Sequence, residues 1–127
     1  MRWISRVLVV ALCLPSAARA GPYDRQLLKL APEERAEQAC VVKGIDTIRR
    51  DGRLPRADRL ETGATSHAVF AGTKVTTNGG AVRAKHRWYG LKFKCEVTKD
   101  YLKALSFTYE LGAEIPEQKW EKLGLWR

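Results

Sequence analysis

The sequence has few of the side chains from which enzyme sites and metal sites are built. It contains two histidines and three cysteines in 127 residues, and none of them stand at the C-x-x-C or H-x-x-x-H spacing of a metal site. It also has no G-x-S-x-G, P-loop or G-x-G-x-x-G motif. Ser66 and His67 are neighbours in a predicted strand, so they point to opposite faces and cannot act as nucleophile and base. We therefore expect no catalytic residue, no metal and no cofactor.

The chain also lacks an apolar run long enough to span a membrane, since a spanning helix needs about 20 such residues. Its longest run, residues 7–14, has eight. Arg2 and Arg6 precede this run and residues 18–20 form an A-x-A cleavage site, a pattern typical of a secretory signal peptide. We predict that residues 1–20 are removed, that residues 21–127 form one small domain, and that the protein is periplasmic or secreted.

Two features of the leader bear on the mature protein. A lipoprotein acylated at Cys13 is the alternative to simple cleavage, but Leu12 stands where such a site needs a small residue. Cleavage after Ala20 makes Gly21 the first residue, removes three arginines and lowers the formal net charge from +9 to +6. The mature protein is therefore expected to remain basic.

One amphipathic helix is predicted near the start of the mature chain. It begins at Pro32, where proline is well tolerated, and acidic residues follow in its first turn. Apolar residues then recur at three- to five-residue steps as far as Arg49. Gly44 weakens this helix, so a break into two shorter helices near Val41 is the alternative.

The clearest strand signal is the stretch 87–97, in which apolar and polar residues alternate. Its predicted buried face carries Tyr89, Leu91, Phe93, Cys95 and Val97. The other cysteine of the mature chain is Cys40, in the predicted helix. An even pair of cysteines in an exported protein favours a disulfide. Two buried free thiols are the alternative. The expected fold class is α+β: an N-terminal helical segment packed on a small antiparallel sheet, a short C-terminal helix and one disulfide.

Shorter strands are predicted on both sides of this central one. Runs rich in Val, Thr and Ala precede it at 66–71, 73–77 and 81–85. Asn78-Gly79-Gly80 predicts a turn between the last two runs, so we expect an antiparallel meander. Residues 98–101 are interpreted as a loop, and 105–111 as a strand that pairs with the central one in a hairpin. Residues 57–64 are too mixed to assign.

The C-terminal segment predicts a short helix. Pro116 opens it and Gly124 ends it, with Leu125 placed to contact the last turn. Trp120 is expected to face the core, because an aromatic side chain on a short terminal helix usually serves packing.

Acidic residues are absent from residues 83–94, whose basic residues are Arg83, Lys85, Arg87, Lys92 and Lys94. Trp88, Lys92 and Lys94 share one face of the central strand, which predicts an aromatic surface beside two ammonium groups, suited to phosphate, carboxylate or glycan. The alternative is that Trp88 packs under the helix while the lysines only solubilise the protein. A second basic stretch, 43–59, has six basic and three acidic residues and is interpreted as an ordinary solvated face.

Four motifs together carry a family resemblance. They are L-x-P-x-E-R-x-E-Q-x-C at 30–40, R-W-Y-x-L-x-F-x-C at 87–95, L-x-F at 105–107 and G-x-x-I-P-x-x-x-W-x-x-x-G-L at 112–125. Over residues 27–125 the chain resembles an alphaproteobacterial exported family catalogued as a domain of unknown function, number 930. The resemblance implies the domain boundaries and the cysteine pair, and it implies no activity, substrate or cofactor. The chain departs from the family pattern at Val41, where an acidic residue is expected.

These observations predict a binding or interaction module rather than an enzyme. The predicted binding residues are Arg83, Lys85, Arg87, Trp88, Lys92 and Lys94. Export makes nucleic acid an unsuitable partner, and the envelope offers lipid headgroups, lipopolysaccharide, peptidoglycan and acidic proteins instead. A structural envelope protein without a ligand is the main alternative, and a small hydrolase is a weaker one. The sequence does not indicate an oligomeric state.

Overall fold

The computed structural model of the protein describes residues 21–127, so the predicted signal peptide and the question of Cys13 lie outside the described residues. Two helices come first, α1 (Pro22–Leu27) and α2 (Pro32–Asp51). Five strands follow: β1 (Ala57–Glu61), β2 (Val69–Ala71), β3 (Lys74–Ala84), β4 (Arg87–Val97) and β5 (Ala104–Glu114). A 3₁₀ turn (Glu117–Lys119) and α3 (Trp120–Leu123) end the chain. The predicted α+β class is confirmed.

All five strands belong to one antiparallel sheet with the order β1-β3-β4-β5. β2 pairs with residues 74–76 of β3, and β1 pairs with residues 81–84 at the other end of the same strand. The central strand has the predicted bounds, and the predicted hairpin with β5 is confirmed. β1 lies in the segment that the sequence left unassigned.

α2 is a single helix across one face of this sheet, so the alternative of a break near Val41 is wrong. The helix continues through Gly44, where it packs closely on the sheet. A Cβ atom at Gly44 would lie 2.6 Å from Cζ of Phe107 and 2.8 Å from Cδ1 of Leu60. The helix ends at Gly52, which has the left-handed φ of 82° that commonly terminates helices.

The disulfide lies in the main core, between α2 and the sheet. The sulfur atoms of Cys40 and Cys95 are 2.11 Å apart, and both residues are buried. Around them pack Ala36, Ala39, Ile48, Leu60, Val75, Val82, Leu91, Phe93, Val97 and Phe107. The predicted link between helix and sheet is therefore present.

The predicted turn at Asn78-Gly79-Gly80 is wrong. β3 runs through these residues, and its register with β4 shifts between Thr77 and Gly80, which marks a bulge. The preceding loop explains the glycine, because the N–H groups of Ala64 and Thr65 both donate to the Gly79 carbonyl at 2.8 Å. A Cβ atom at Gly79 would overlap Ser66. These glycines therefore leave room for a neighbouring loop to pack against β3, and they do not form a chain-reversing turn.

The short strand β2 begins at Val69, so the predicted strand 66–71 was too long. Ser66 and His67 lie in the loop before it, and both are exposed.

The C-terminal segment builds a second, smaller core on the sheet face opposite α2. Its buried members are Ala81, Trp88, Trp120 and Leu125. Gly124 ends α3 with a left-handed φ of 71°, and the Leu125 N–H donates to the Trp120 carbonyl at 2.8 Å. The predicted C-terminal stop, its Leu125 contact and the burial of Trp120 are confirmed. No helix within residues 21–127 combines the length and the apolarity that crossing a membrane requires.

Candidate anion-binding site

Trp88 lies in the second core and is not accessible. Its side chain is 0% exposed, and its ring packs edge-on against Trp126 with centroids 5.8 Å apart. The indole N–H donates to the Trp126 carbonyl at 2.7 Å, which satisfies the one polar group of the buried ring. The predicted aromatic surface at Trp88 is therefore wrong. Its cover is the C-terminal segment and not α2, which is on the other face of the sheet.

Arg83 is also used inside the fold. It is 8% exposed, and its guanidinium donates two hydrogen bonds to Asp58, from Nε to Oδ1 at 2.9 Å and from Nη2 to Oδ2 at 2.7 Å. The hydrogen bonds from Arg83 lower the pKa of the Asp58 carboxyl, although its partial burial opposes this. The pair ties β1 to β3, and the charge of Arg83 is already matched by a carboxylate.

Lys92 and Lys94 lie on the solvent-exposed part of the sheet face opposite α2. Glu110 stands directly across from Lys92 on β5, and Thr108 stands across from Lys94. Arg87 lies five residues earlier in β4, roughly 17 Å away along a strand, and its side chain leaves the other face because strand side chains alternate. The predicted binding residues therefore do not form one patch.

Lys85 and Arg87 instead line a pocket together with two arginines of the loop between α2 and β1. Arg53 and Arg56 line, together with these two residues, a pocket of about 370 Å³ at the end of the β3–β4 hairpin. We call Arg53, Arg56, Lys85 and Arg87 the hairpin-end cluster. The other lining residues are Leu54, Pro55, Ala84 and Tyr89. Within residues 21–127, the lining of this pocket includes no carboxylate.

The hairpin that carries half of this cluster has an unfavourable turn. Lys85 and His86 are its two central residues, and both have left-handed φ values, 51° and 62°. A two-residue turn of this kind favours Asn-Gly, because at positive φ a Cβ atom crowds the backbone, which glycine avoids and asparagine tolerates. Such strain costs about 1–3 kcal/mol per residue and concentrates at functional sites. The turn therefore presents two exposed basic side chains at a cost in stability.

Acidic side chains also lie near the hairpin. The Arg87 Nε is 3.7 Å from Oε1 of Glu114, a long and exposed ion pair of the kind that contributes little. A second pocket contains Glu114 and the ion pair of Arg127 with Glu117, and it is also lined by Lys85, His86, Arg87 and Trp120. Within residues 21–127, Arg53, Arg56 and Lys85 therefore have no ion pair, whereas Arg87 is weakly paired with Glu114.

The sequence indicated half of this cluster. Lys85 and Arg87 were predicted as binding residues, whereas Arg53 and Arg56 belong to the stretch interpreted as an ordinary solvated face. No pattern within 43–59 distinguishes these two arginines from its other basic residues, because what distinguishes them is the hairpin packed beside them. Within residues 21–127, no three His, Cys, Asp or Glu side chains are grouped as a metal site requires.

The fold and the cluster define a small disulfide-linked α+β domain with a basic surface pocket. A model of the family described as Domain of Unknown Function (DUF930) matches residues 27–125. Because the match covers most of the chain, the protein belongs to this family, which confirms the family resemblance. No curated protein and no solved structure matches the chain significantly. The alphaproteobacterial and exported character of the family stays a prediction.

Proposed function

We propose that the protein is an exported, non-catalytic module that binds an anionic component of the cell envelope at the hairpin-end cluster. The observation that carries this proposal is the convergence of four cationic side chains, from two segments of the chain, on one pocket that no carboxylate of the described residues lines. Like charges repel one another, so gathering them costs free energy in the unbound protein. A bound anion removes this cost, and attraction to the cluster speeds its association.

Export rests on the signal-peptide pattern of residues 1–20, and the disulfide is consistent with an oxidising compartment. The candidate partners are lipid headgroups, lipopolysaccharide, peptidoglycan and acidic surfaces of other proteins. Nucleic acid is not proposed as the partner, because an exported protein is separated from the nucleic acid of the cytoplasm. Intact-mass measurement of the periplasmic protein tests the localisation: we expect a chain that starts at Gly21 and carries no lipid. Retention of residues 1–20, or a diacylglycerol on Cys13, would contradict it.

Catalysis is not part of the proposal because of the chemistry of the cluster. Arginine does not deprotonate in proteins, and it has no hydrogen-bond acceptor, so it cannot serve as a general base or a nucleophile. The cluster can orient and neutralise an anion, but its three arginines do not supply a proton acceptor.

Binding by the mature protein tests the proposal. Residues 21–127 would be titrated with anionic vesicles, lipopolysaccharide and soluble peptidoglycan fragments at low and at moderate salt, with vesicles of zwitterionic lipid as the control. We expect saturable binding to at least one anionic material, weakened by salt because exposed charges are screened beyond about 8 Å at physiological ionic strength. Absence of saturable binding to all three would instead favour the structural envelope protein without a ligand.

A further inference from the structure

We infer that the hairpin-end cluster recognises a phosphate monoester or a diphosphate rather than a carboxylate, through paired contacts from its arginines. This inference rests on the proposed function, because it names the chemical group that the same pocket holds. It goes further by assigning a geometric role to Arg53, Arg56 and Arg87 that positive charge alone would not require.

The composition of the cluster is the first argument. Three of its four cations are arginines, although lysine would supply the same charge. A guanidinium is a rigid planar fork that donates two parallel hydrogen bonds to the oxygens of one carboxylate or one phosphate, whereas an ammonium acts as a compact point charge. Three forks can donate more hydrogen bonds than the two oxygens of one carboxylate accept side by side, and they match the larger number of oxygens on a phosphate group.

The amount of charge is the second argument. The four side chains carry four positive charges, and the described residues contribute no carboxylate to the pocket lining. Within these residues only Arg87 has an ion pair, the long and exposed one with Glu114. A single carboxylate would leave most of this charge unmatched. A phosphate monoester carries roughly one and a half to two negative charges at neutral pH. A diphosphate carries more. The negative charge of a phosphate group therefore matches the positive charge of the cluster more closely than the charge of a carboxylate does.

The walls of the pocket are the third argument. Its volume of about 370 Å³ is in the range of small-molecule sites and exceeds what one phosphate needs. Leu54, Pro55 and the half-buried Tyr89 form a less polar part of the lining. A sugar or glycerol unit attached to the phosphate would pack against this part, while the phosphate contacts the arginines.

Calorimetric titration with matched probes tests the inference. Glucose 1-phosphate and glucuronate share a sugar ring and differ in the anionic group, and pyrophosphate tests the diphosphate without a sugar. We expect glucose 1-phosphate and pyrophosphate to bind the mature protein at least about tenfold more tightly than glucuronate, which corresponds to roughly 1.4 kcal/mol.

The variant Arg53→Lys/Arg56→Lys separates geometry from charge, because it keeps both charges and removes both forks. We expect its affinity for glucose 1-phosphate to fall about tenfold, and its weaker affinity for glucuronate to fall by less, because one carboxylate engages fewer forks. Arg49→Lys/Arg50→Lys, on the exposed side of α2, is the matched control and should behave as the wild type. Melting curves of both variants check that the fold is kept.

The outcomes distinguish the inference from the proposed function. Equal affinity for glucuronate and glucose 1-phosphate, or an affinity for glucose 1-phosphate that survives Arg53→Lys/Arg56→Lys, overturns the phosphate assignment and leaves an anion-binding module standing. Absence of binding to all three probes and to every anionic envelope material overturns both. Vesicles containing phosphatidic acid identify the source: tighter binding to them than to glucose 1-phosphate supports a lipid phosphate, and the reverse order supports a phosphorylated glycan.

Discussion

Trp88 shares one face of β4 with Lys92 and Lys94, because side chains two residues apart lie on the same face of a strand. The C-terminal segment covers this face at Trp88 and leaves it open at the two lysines. The burial of a strand residue therefore depends on which segment packs on its face.

Replacement of Trp88 tests this packing. Trp88→Ala should reduce the free energy of unfolding by about 3–5 kcal/mol, because it opens a cavity in the second core and removes the hydrogen bond to Trp126. Urea denaturation measures the change. Trp126→Ala, at a position that is 46% exposed, is the control and should cost clearly less. A Trp88→Ala variant as stable as the wild type would mean that the segment does not cover this residue.

Gly44 leads to a second prediction at this scale. Alanine normally stabilises a helix interior by about 1 kcal/mol relative to glycine. At Gly44, however, the new methyl group would press on Phe107 and Leu60, and overpacking of this kind costs about 1–3 kcal/mol. Gly44→Ala should therefore destabilise the protein in chemical denaturation. Val42→Ala, at an exposed position of the same helix, should change stability by less than about 0.5 kcal/mol. A stabilising Gly44→Ala would show that the helix lies farther from the sheet.

At the scale of elements, the long periodic segments could be predicted and the short ones could not. β4 and β5 have clear alternation, and α2 has a proline start and a regular apolar stripe. β1 has five residues, of which Asp58, Arg59 and Glu61 are charged, and its register is irregular. Its strand conformation depends on pairing with β3, which no local pattern shows.

The β3–β4 hairpin gives the prediction that belongs to this scale. Lys85→Asn/His86→Gly would place in the turn the residues that its left-handed conformation favours. We expect the variant to melt at a higher temperature than the wild type, because the strain at both positions is relieved. It should also bind phosphate probes more weakly, because Lys85 is lost from the cluster. A variant that gains stability and binds phosphate probes as well as the wild type would show that Lys85 does not contribute to the binding site.

At the scale of the whole molecule, the disulfide joins two elements that are distant in the chain. Cys40 and Cys95 are 55 residues apart in sequence. Cross-linking a loop of this length restricts the unfolded chain and is worth about 4 kcal/mol in the chain-entropy model. Reduction should therefore lower the melting temperature substantially, as measured by scanning calorimetry with and without reductant. An unchanged melting temperature, with reduction verified by thiol titration, would contradict this role.

The candidate site could be predicted only in part, because it is a property of the whole molecule. The sequence predicted one basic patch because its members are close along the chain. They are Arg83, Lys85, Arg87, Lys92 and Lys94. In the fold, the sheet separates Lys92 and Lys94 from Arg87, and Arg83 pairs with Asp58. The missing half of the cluster comes from a loop about 30 residues earlier, which lies beside the hairpin because β1 pairs with β3, with Ala57 opposite Ala84.

The most direct test compares two charge reversals that change the net charge equally. Arg53→Glu/Arg56→Glu alters the hairpin-end cluster, and Lys92→Glu/Lys94→Glu alters the open sheet face. Both variants and the wild type would be titrated calorimetrically with pyrophosphate and with anionic vesicles at low salt, with melting curves in parallel. We predict that the first reversal abolishes binding, whereas the second leaves most of it. Binding that survives the first reversal and is lost with the second would contradict the assignment of the site to the hairpin-end cluster.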